Sequence, residues 1–216
     1  KYSDKITRWI SEEDKGVYDA MNKGVAMATG EWINFMNAGD VFCDKNTVES
    51  LFEGISEDTD LVYGNAIEKL VSGGAKNLEA GENLENLWKG ALFGHESLFV
   101  KSNIIKNNLF NLKYKVAADY DFIMKCFYKG YKFEKVGVDV LLFSLPGFSR
   151  EHWVVASLEN WKIARKYEKQ KKVSMYYLSN FLFGLIVRAI KYLLPEKFYL
   201  KLHKFYKKVK GLIFKN

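Results

Sequence analysis

The chain has 216 residues, of which 48% are hydrophobic and 27% are charged. That length and composition suit one large domain, or one domain with an appendage, and exclude an intrinsically disordered chain. The two cysteines, Cys43 and Cys126, are too few for a disulfide framework, so we expect buried free thiols. No histidines or cysteines have the spacing of zinc ligands, which argues against a structural zinc site.

The net charge of +7 is divided unevenly along the chain. Residues 162–216 contain 15 lysines and arginines and two glutamates, a net charge of +13, so residues 1–161 carry the remaining −6. A nucleic-acid-binding domain is expected to spread positive charge over its folded face. An acidic body with a basic tail argues against a nucleic-acid partner and favours a tail that meets an anionic membrane surface.

Strand-like and helix-like segments alternate along residues 5–143, which is the pattern of an α/β fold. Apolar residues at three- and four-residue spacing predict a helix over residues 16–28, which Gly30 ends. The run EWINFM at residues 31–36 predicts a central strand. The remaining predictions are strands at 5–10, 60–63, 97–100 and 131–143, helices at 47–52 and 119–129, and a mobile polar loop at 72–81.

From residue 151 onward the pattern is wholly helical. Residues 173–187 form an uncharged run of 15, shorter than the ~20 apolar residues that a membrane-spanning helix needs. Beyond Pro195, apolar side chains share one helix face among lysines, which is typical of a helix lying at a membrane surface. We therefore predict a domain at residues 1–150 and a helical, basic, amphipathic extension at residues 151–216. Ordinary helices packed on the body are the alternative.

The most informative part of the sequence lies between residues 11 and 40. It reads SEEDKGVYDAMNKG from residue 11 and ATGEWINFMNAGD from residue 28. This block resembles the S-E-x-D-x-G-[IV]-Y-D-A-M-N-K-G and A-x-G-E-[YW]-[IV]-x-F-[LM]-N-A-[DG]-D segments of family-2 glycosyltransferases. The resemblance implies a Rossmann-like GT-A fold and a hexosyltransferase-like enzyme, which moves a sugar from a nucleotide-sugar donor to an acceptor hydroxyl.

Asp40 ends a turn-prone loop directly after the predicted central strand, where α/β sheets commonly bind ligands. Sugar transfer expels a nucleoside diphosphate, and a divalent cation such as Mn²⁺ or Mg²⁺ held by a carboxylate neutralises that charge. We predict Asp40 as the metal ligand, with Asn37 as a weaker helper on the donor side. In the wider family this loop is D-x-D or D-D, and here Gly39 stands where an acid is common. The alternative for Asp40 is a turn-forming or helix-capping role.

The resemblance places further residues on the donor side of the site. Asp14 and Asn22 would line the nucleotide-sugar pocket, and Lys15 would approach a phosphate. The alternatives are that Asp14 caps the helix and that Asn22 is hydrogen-bonded within the fold. His95, in a Gly-His-Glu-Ser segment similar to the family's H-Q-[SG], would lie near the acceptor or the diphosphate. A purely structural histidine is the alternative there.

An inverting transferase needs a general base that takes the proton from the acceptor hydroxyl. The segment Ala118-Asp119-Tyr120-Asp121 opens a predicted helix and is similar to the family's E-D-x-D motif. By position, Asp119 corresponds to the catalytic base and Asp121 to a neighbouring catalytic carboxylate. Aspartates also stabilise helix starts by capping and by the helix dipole, which is the alternative for both.

The resemblance as a whole implies a metal-dependent, inverting transferase, peripheral on the cytoplasmic face of a bacterial cell membrane. A UDP-sugar is the expected donor, a saccharide or lipid-linked saccharide the acceptor, and a cell-surface polysaccharide or lipopolysaccharide the product. The family's amino-terminal I-I-T-x-x-Y-N strand and D-G-x-S-x-D loop do not occur in this sequence, so we expect an amino-terminally truncated GT-A domain. The alternative is a non-catalytic remnant that binds a membrane surface, and nucleotide binding distinguishes the two.

Overall fold

The computed structural model describes residues 5–70, 73–144 and 151–193 of the chain. In these ranges six strands form one mixed sheet: β1 Trp32–Asn34, β2 Val41–Phe42, β3 Leu61–Lys69, β4 Ala75–Leu78, β5 Leu98–Lys101 and β6 Phe133–Ser144. The strand order is β1-β5-β3-β6-β2, and β4 pairs with the end of β3 that β5 leaves free. Strands β3 and β6 are parallel, and the other pairs are antiparallel. The predicted α/β class is therefore confirmed.

Six α-helices and two short 3₁₀ helices are seen in the same part of the chain. The helices predicted around residues 16–28, 47–52 and 119–129 begin and end within about a residue of the observed ones, which is the usual uncertainty of helix boundaries. The helices are α1 Val17–Met27, α2 Thr47–Phe52, α3 Ser102–Lys106, α4 Ala118–Tyr128, α5 Trp153–Tyr167 and α6 Lys171–Leu193, with 3₁₀ helices at Leu84–Lys89 and His95–Ser97.

The sheet separates two layers of packed side chains. Successive residues of β3 point to opposite faces, as the pleat of a strand requires. Leu61 and Tyr63 join the main core, to which α1, α3, α4 and α5 contribute. Val62 joins a smaller core under Leu51 of α2. Helix α4 is buried along most of its length and packs in the main core.

Gly64 of β3 lies at a close approach between β3 and β6. A Cβ at this position would lie 2.7 Å from Val140 Cγ2 and still closer to the Val138 carbonyl oxygen. The register between the two strands shifts on both sides of Asn65, immediately after this glycine. Only a residue without a side chain allows the strands to pack in this way.

Three predicted segments differ from the structure. The run 31–36, predicted as a central strand, forms only the three-residue strand β1, which lies at the edge of the sheet. Residues 5–10, predicted as a strand, have no strand pairing, and Ile6, Trp9 and Ile10 are exposed. A strand is stable only when a neighbour satisfies its backbone groups. Residues 7–10 instead lie beside the end of α1, where Arg8 Nη1 donates to the Met27 carbonyl oxygen at 3.4 Å. Within the predicted loop at 72–81, residues 75–78 instead form β4, because the long strand β3 offers them an edge for pairing.

The two carboxyl-terminal helices pack on the body of the molecule. Ile163 of α5 is fully buried in the main core. Tyr176 and Tyr177 of α6 pack with Trp88 in a separate cluster. No helix in the described ranges is both long and apolar enough to cross a bilayer. The amphipathic helix predicted beyond Pro195 lies outside the described residues.

Candidate active site

A cavity of about 730 Å³ lies where the loop after β1, the 3₁₀ helix His95–Ser97 and the first turn of α4 meet. Its volume falls within the range of sites that bind small molecules and cofactors. Four carboxylates line it beside one histidine, so the cavity is acidic. The polar and charged lining residues are Tyr18, Asn37, Asp40, Glu79, His95, Glu96, Ser97, Asp119 and Ser144.

Asp119 is held from two sides at the cavity wall. Its Oδ2 lies 3.1 Å from His95 Nδ1, and its Oδ1 lies 2.8 Å from the Tyr18 hydroxyl. The same hydroxyl lies 2.9 Å from the Val116 carbonyl oxygen, so it has two acceptors within reach for its one proton. The three side chains come from α1, the 3₁₀ helix and α4, and only the tertiary fold brings them together.

The hydrogen bond between His95 and Asp119 shifts the pKa of both groups. Burial by itself would lower the pKa of His95, but the hydrogen bond and charge of Asp119 outweigh it and raise that pKa above its usual value. Burial by itself would raise the pKa of Asp119, but the hydrogen bond and charge of His95 hold it below its usual value. Asp119 is therefore a carboxylate at neutral pH and able to accept a proton.

Asp40, Asn37 and Glu96 form the part of the wall next to His95, whose Nε2 lies 3.5 Å from the Asn37 side-chain nitrogen and from Glu96 Oε1. The Asp40 amide donates to the Asn37 carbonyl oxygen at 3.1 Å, which closes the loop after β1 as a turn. The Asn37 side-chain amide donates to Glu96 Oε1 at 2.7 Å. Burial first, and the negative charge of Glu96 second, raise the pKa of Asp40. A positive charge in the cavity would therefore stabilise the ionised form of Asp40.

The oxygen donors at this wall are the type that Mg²⁺ and Mn²⁺ prefer. No group of three or more His, Cys, Asp or Glu side chains within the described residues is arranged to hold a metal. A divalent cation takes about six ligands. Asp40 would supply a protein ligand, and phosphate oxygens would have to supply others.

Three residues predicted for the donor side do not line this cavity. Asp14 and Lys15 are exposed, and the Asp14 carboxylate accepts a hydrogen bond from the Gly16 amide at 2.8 Å, which forms a turn before α1. The Asn22 side chain pairs with both backbone groups of Phe110 at 2.9 Å. The donor-binding roles of all three stay predictions. The Asn22 contacts match the alternative of internal hydrogen bonding, whereas no side chain caps α1, so the capping alternative for Asp14 is not seen.

Asp121 also does not line the cavity. Its side chain is 1% exposed, and it forms an ion pair with Lys166 of α5 at 2.9 Å. Residues two positions apart on a helix point in nearly opposite directions, so α4 directs Asp119 to the cavity and Asp121 to the neighbouring helix. This placement gives a catalytic role for Asp121 no support.

Sequence reasoning did not assign roles to Tyr18 and Glu96. Tyr18 lies in the family-like block and is only 6% exposed, although it stands in the first turn of a surface helix. The signal that would have indicated a role for Tyr18 is a tyrosine in the first turn of a helix, because its hydroxyl needs a hydrogen-bond partner when the ring is buried. Glu96 occupies the place of the family's glutamine, and its Oε1 binds Asn37.

The mixed sheet, its flanking helices and the acidic cavity at the end of β1 define an α/β fold of the GT-A glycosyltransferase type. The family model described as glycosyl transferase family 2 matches residues 1–115, more than half of the chain. The chain therefore belongs to glycosyltransferase family 2. Asp40 and His95 lie within the matched residues, and Asp119 follows closely after them.

Two similar proteins illustrate the relationship. A "PGL/p-HBAD biosynthesis glycosyltransferase" of Mycobacterium bovis is 38% identical over 121 residues, covering 54% of this chain and 45% of that protein. An uncharacterized glycosyltransferase of Methanocaldococcus jannaschii is 26% identical over 216 residues, covering 90% of this chain and 72% of that protein. The match thus spans about half the length of the mycobacterial relative.

One solved structure supports the fold over most of the chain. A mannosyltransferase from Pyrobaculum calidifontis, in complex with GDP-Man and Mn²⁺, aligns with a TM-score of 0.52 and 14% identity. The alignment covers 93% of this chain and 61% of the mannosyltransferase. At this identity the similarity shows the GT-A fold and carries no information on the ligands of this chain.

Proposed function

We propose that the chain carries the transfer site of a nucleotide-sugar-dependent, inverting glycosyltransferase, with Asp119 as the general base. The observation that supports this most directly is the position of the Asp119 carboxylate. It lies at the amino end of α4, faces a cavity of about 730 Å³, and is oriented by Tyr18 and His95. A base must be ionised and within reach of the acceptor hydroxyl, and this carboxylate meets the first condition.

The proposed reaction is a single displacement. The acceptor hydroxyl oxygen forms a bond to the anomeric carbon while the bond from that carbon to the diphosphate oxygen breaks. Asp119 takes the hydroxyl proton, and the electron pair of the broken bond leaves with the nucleoside diphosphate. Attack from the face opposite the leaving group inverts the anomeric carbon. His95, whose Nδ1 contacts Asp119, would keep the carboxylate turned toward the acceptor.

Asp40 is the residue that we propose for holding a divalent cation, Mn²⁺ or Mg²⁺, jointly with the donor diphosphate. When bound, such a cation would act as a Lewis acid and neutralise the leaving diphosphate. The raised pKa of Asp40 supports this role, since burial and the Glu96 charge make a lone carboxylate unfavourable there.

We further propose peripheral membrane association, with a saccharide or lipid-linked saccharide as the acceptor. Helix α6 buries Tyr176 and Tyr177 but leaves a row of apolar side chains between 44% and 62% exposed. The +13 charge of residues 162–216 would attract this face to anionic lipids. The product would be a cell-surface polysaccharide or lipopolysaccharide made on the cytoplasmic side. The exposed residues are Met175, Leu178, Leu182, Leu185 and Ile186.

The proposal is tested first by calorimetric titration of UDP, with and without Mn²⁺. We expect binding that requires Mn²⁺ in the wild type and is lost in Asp40→Ala. The control is Asp58→Ala, which removes an exposed carboxylate that does not line the cavity. The same titration with GDP and dTDP tests other nucleotides, because the expectation of UDP comes from the family resemblance and the sequence itself does not specify the nucleotide.

Catalysis is tested with Asp119→Asn and the nucleotide-sugar whose nucleotide binds. A lost general base should lower turnover by roughly 10²- to 10⁴-fold with nucleotide affinity unchanged. Full turnover in Asp119→Asn would show that another group is the base. If none of UDP, GDP and dTDP binds the folded protein, the non-catalytic alternative is favoured, and binding to anionic vesicles then tests its membrane role.

A further inference from the structure

A buried carboxylate in α5 binds three consecutive backbone amides beside the cavity. Glu159 Oε1 accepts a hydrogen bond from the Lys115 amide at 2.9 Å. Its Oε2 accepts from the amides of Val116 and Ala117 at 2.9 and 3.0 Å. Glu159 is only 8% exposed, and hydrogen bonds from backbone amides to a carboxylate are stronger than those between neutral groups.

These three amides lead directly into α4, which begins at Ala118 and carries Asp119. Val116 and Ala117 are 7% and 4% exposed, and no side chain from the neighbouring residues caps this helix. Buried amides at a helix start need an acceptor. Glu159 supplies it from a point 42 residues beyond Ala117 in the chain, so the start of α4 depends on α5.

The segment 115–117 is also linked to Asp119, the proposed base, through Tyr18. The Val116 carbonyl oxygen lies 2.9 Å from the Tyr18 hydroxyl, which lies 2.8 Å from Asp119 Oδ1. The backbone of Val116 therefore links Glu159 to Tyr18 through its two polar groups. A displacement of this segment would move the Asp119 carboxylate relative to His95.

We propose that Glu159 is a positioning residue for Asp119. By holding the amides of residues 115–117, α5 sets the direction in which the chain enters α4 and thus the place of the Asp119 carboxylate in the cavity. The catalytic consequence rests on the proposed function, because it requires Asp119 to be the base. The positional claim, that Glu159 sets the place of the Asp119 carboxylate, concerns geometry alone and is tested separately.

The position of Asp119 is read from the NMR signals of the His95 ring, whose Nδ1 lies 3.1 Å from Asp119 Oδ2. In Glu159→Gln the side chain keeps its size, but its NH₂ group cannot accept a hydrogen bond, so at least one of the three amides loses its acceptor. We expect the His95 signals to move in the direction seen in Asp119→Asn. The control is Glu151→Gln, an exposed glutamate just before α5, which should leave them unchanged.

Turnover is then measured with the nucleotide-sugar selected by titration. A misplaced base should lower kcat by about 10- to 100-fold in Glu159→Gln while the nucleotide Kd stays within about twofold. Glu159→Asp, which keeps the carboxylate on a shorter side chain, is the second variant and is used for both measurements if Glu159→Gln does not fold.

Wild-type His95 signals in a folded Glu159 variant would overturn the positional claim, and Glu159 would then only add stability. Shifted His95 signals together with full turnover in Asp119→Asn would uphold the positional claim and instead reject Asp119 as the base. Shifted signals with a loss of kcat in Glu159→Gln and in Asp119→Asn would support both.

Discussion

The close approach of β3 and β6 at Gly64 makes Gly64→Ala a sharp test of the fold around the cavity. Gly64 lines the cavity, and its backbone lies against Val138 and Val140 of β6. A Cβ there would lie 2.7 Å from Val140 Cγ2, about 0.8–1.3 Å inside the usual contact distance of about 3.5–4.0 Å between carbon atoms. Backbone and side chain must therefore move apart in the centre of the sheet.

Overpacking of this kind typically costs 1–3 kcal/mol, and here the nearest obstacle is a backbone carbonyl that cannot rotate away. We therefore expect a loss of about 3 kcal/mol in the free energy of unfolding. For a chain of this length, about 2–4 °C of Tm corresponds to 1 kcal/mol, so Tm should fall by roughly 6–12 °C.

Thermal unfolding followed by circular dichroism measures this change. The matched control is Gly137→Ala in the neighbouring strand β6, where an added Cβ would meet nothing within 4 Å. That variant should unfold within about 2 °C of the wild type, which corresponds to a change of at most about 1 kcal/mol in the free energy of unfolding. If Gly64→Ala is as stable as Gly137→Ala, the described approach of the two strands is wrong and the shape of the cavity wall must be reconsidered.

Two further predictions concern charged groups near α4. An NMR titration should give His95 a pKa above about 6.5, and Asp119→Asn should lower it, because Asp119 is the main group that raises it. Since the folded-state pKa of His95 is raised and that of Asp119 is lowered, the pair's contribution to stability is fully present only below the unfolded pKa of His95 and above the unfolded pKa of Asp119. Tm should lose this contribution as the pH rises through the folded pKa of His95, and a Tm difference between wild type and Asp119→Asn that grows as the pH rises through this value would contradict it. Lys166→Ala should cost roughly 1–3 kcal/mol in urea unfolding, below the usual range for buried pairs because Lys166 is 46% exposed. Its control is the exposed Lys162→Ala on the same helix, and equal stability of the two variants would refute a stabilising role for the ion pair with Asp121.

The first turn of α4 shows how far the sequence could predict the site. The motif correctly predicted a helix start and placed two aspartates on it, at positions 119 and 121. The resemblance assigned Asp119 as the base and Asp121 as a neighbouring catalytic carboxylate, but it could not show which of them faces the cavity, because both suit the first turn of a helix equally well. The rotation of α4 against the sheet and α5 turns one carboxylate toward the cavity and the other toward Lys166.

The hydrogen-bond partners of Asn22 and Glu159 could not be predicted from the sequence for a related reason. Asn22 binds the backbone of Phe110, which lies 88 residues away in the chain. Glu159 binds amides more than 40 residues before it. Neither partner has a side-chain pattern that marks it, because in both cases the partner is the backbone. Such contacts leave no signal in composition or periodicity.

The sequence by itself determined the α/β class, the main helices and the membership of residues 11–40 in a recognisable glycosyltransferase block. These features depend on local periodicity and on a contiguous run of residues, which are present before the chain folds. The tertiary structure alone decided that β4 forms, that Tyr18 and His95 hold Asp119, and that Glu159 of α5 binds the three amides just before α4. Those outcomes depend on which distant segments meet, because strand edges and buried amides are satisfied only by the partners that folding brings to them.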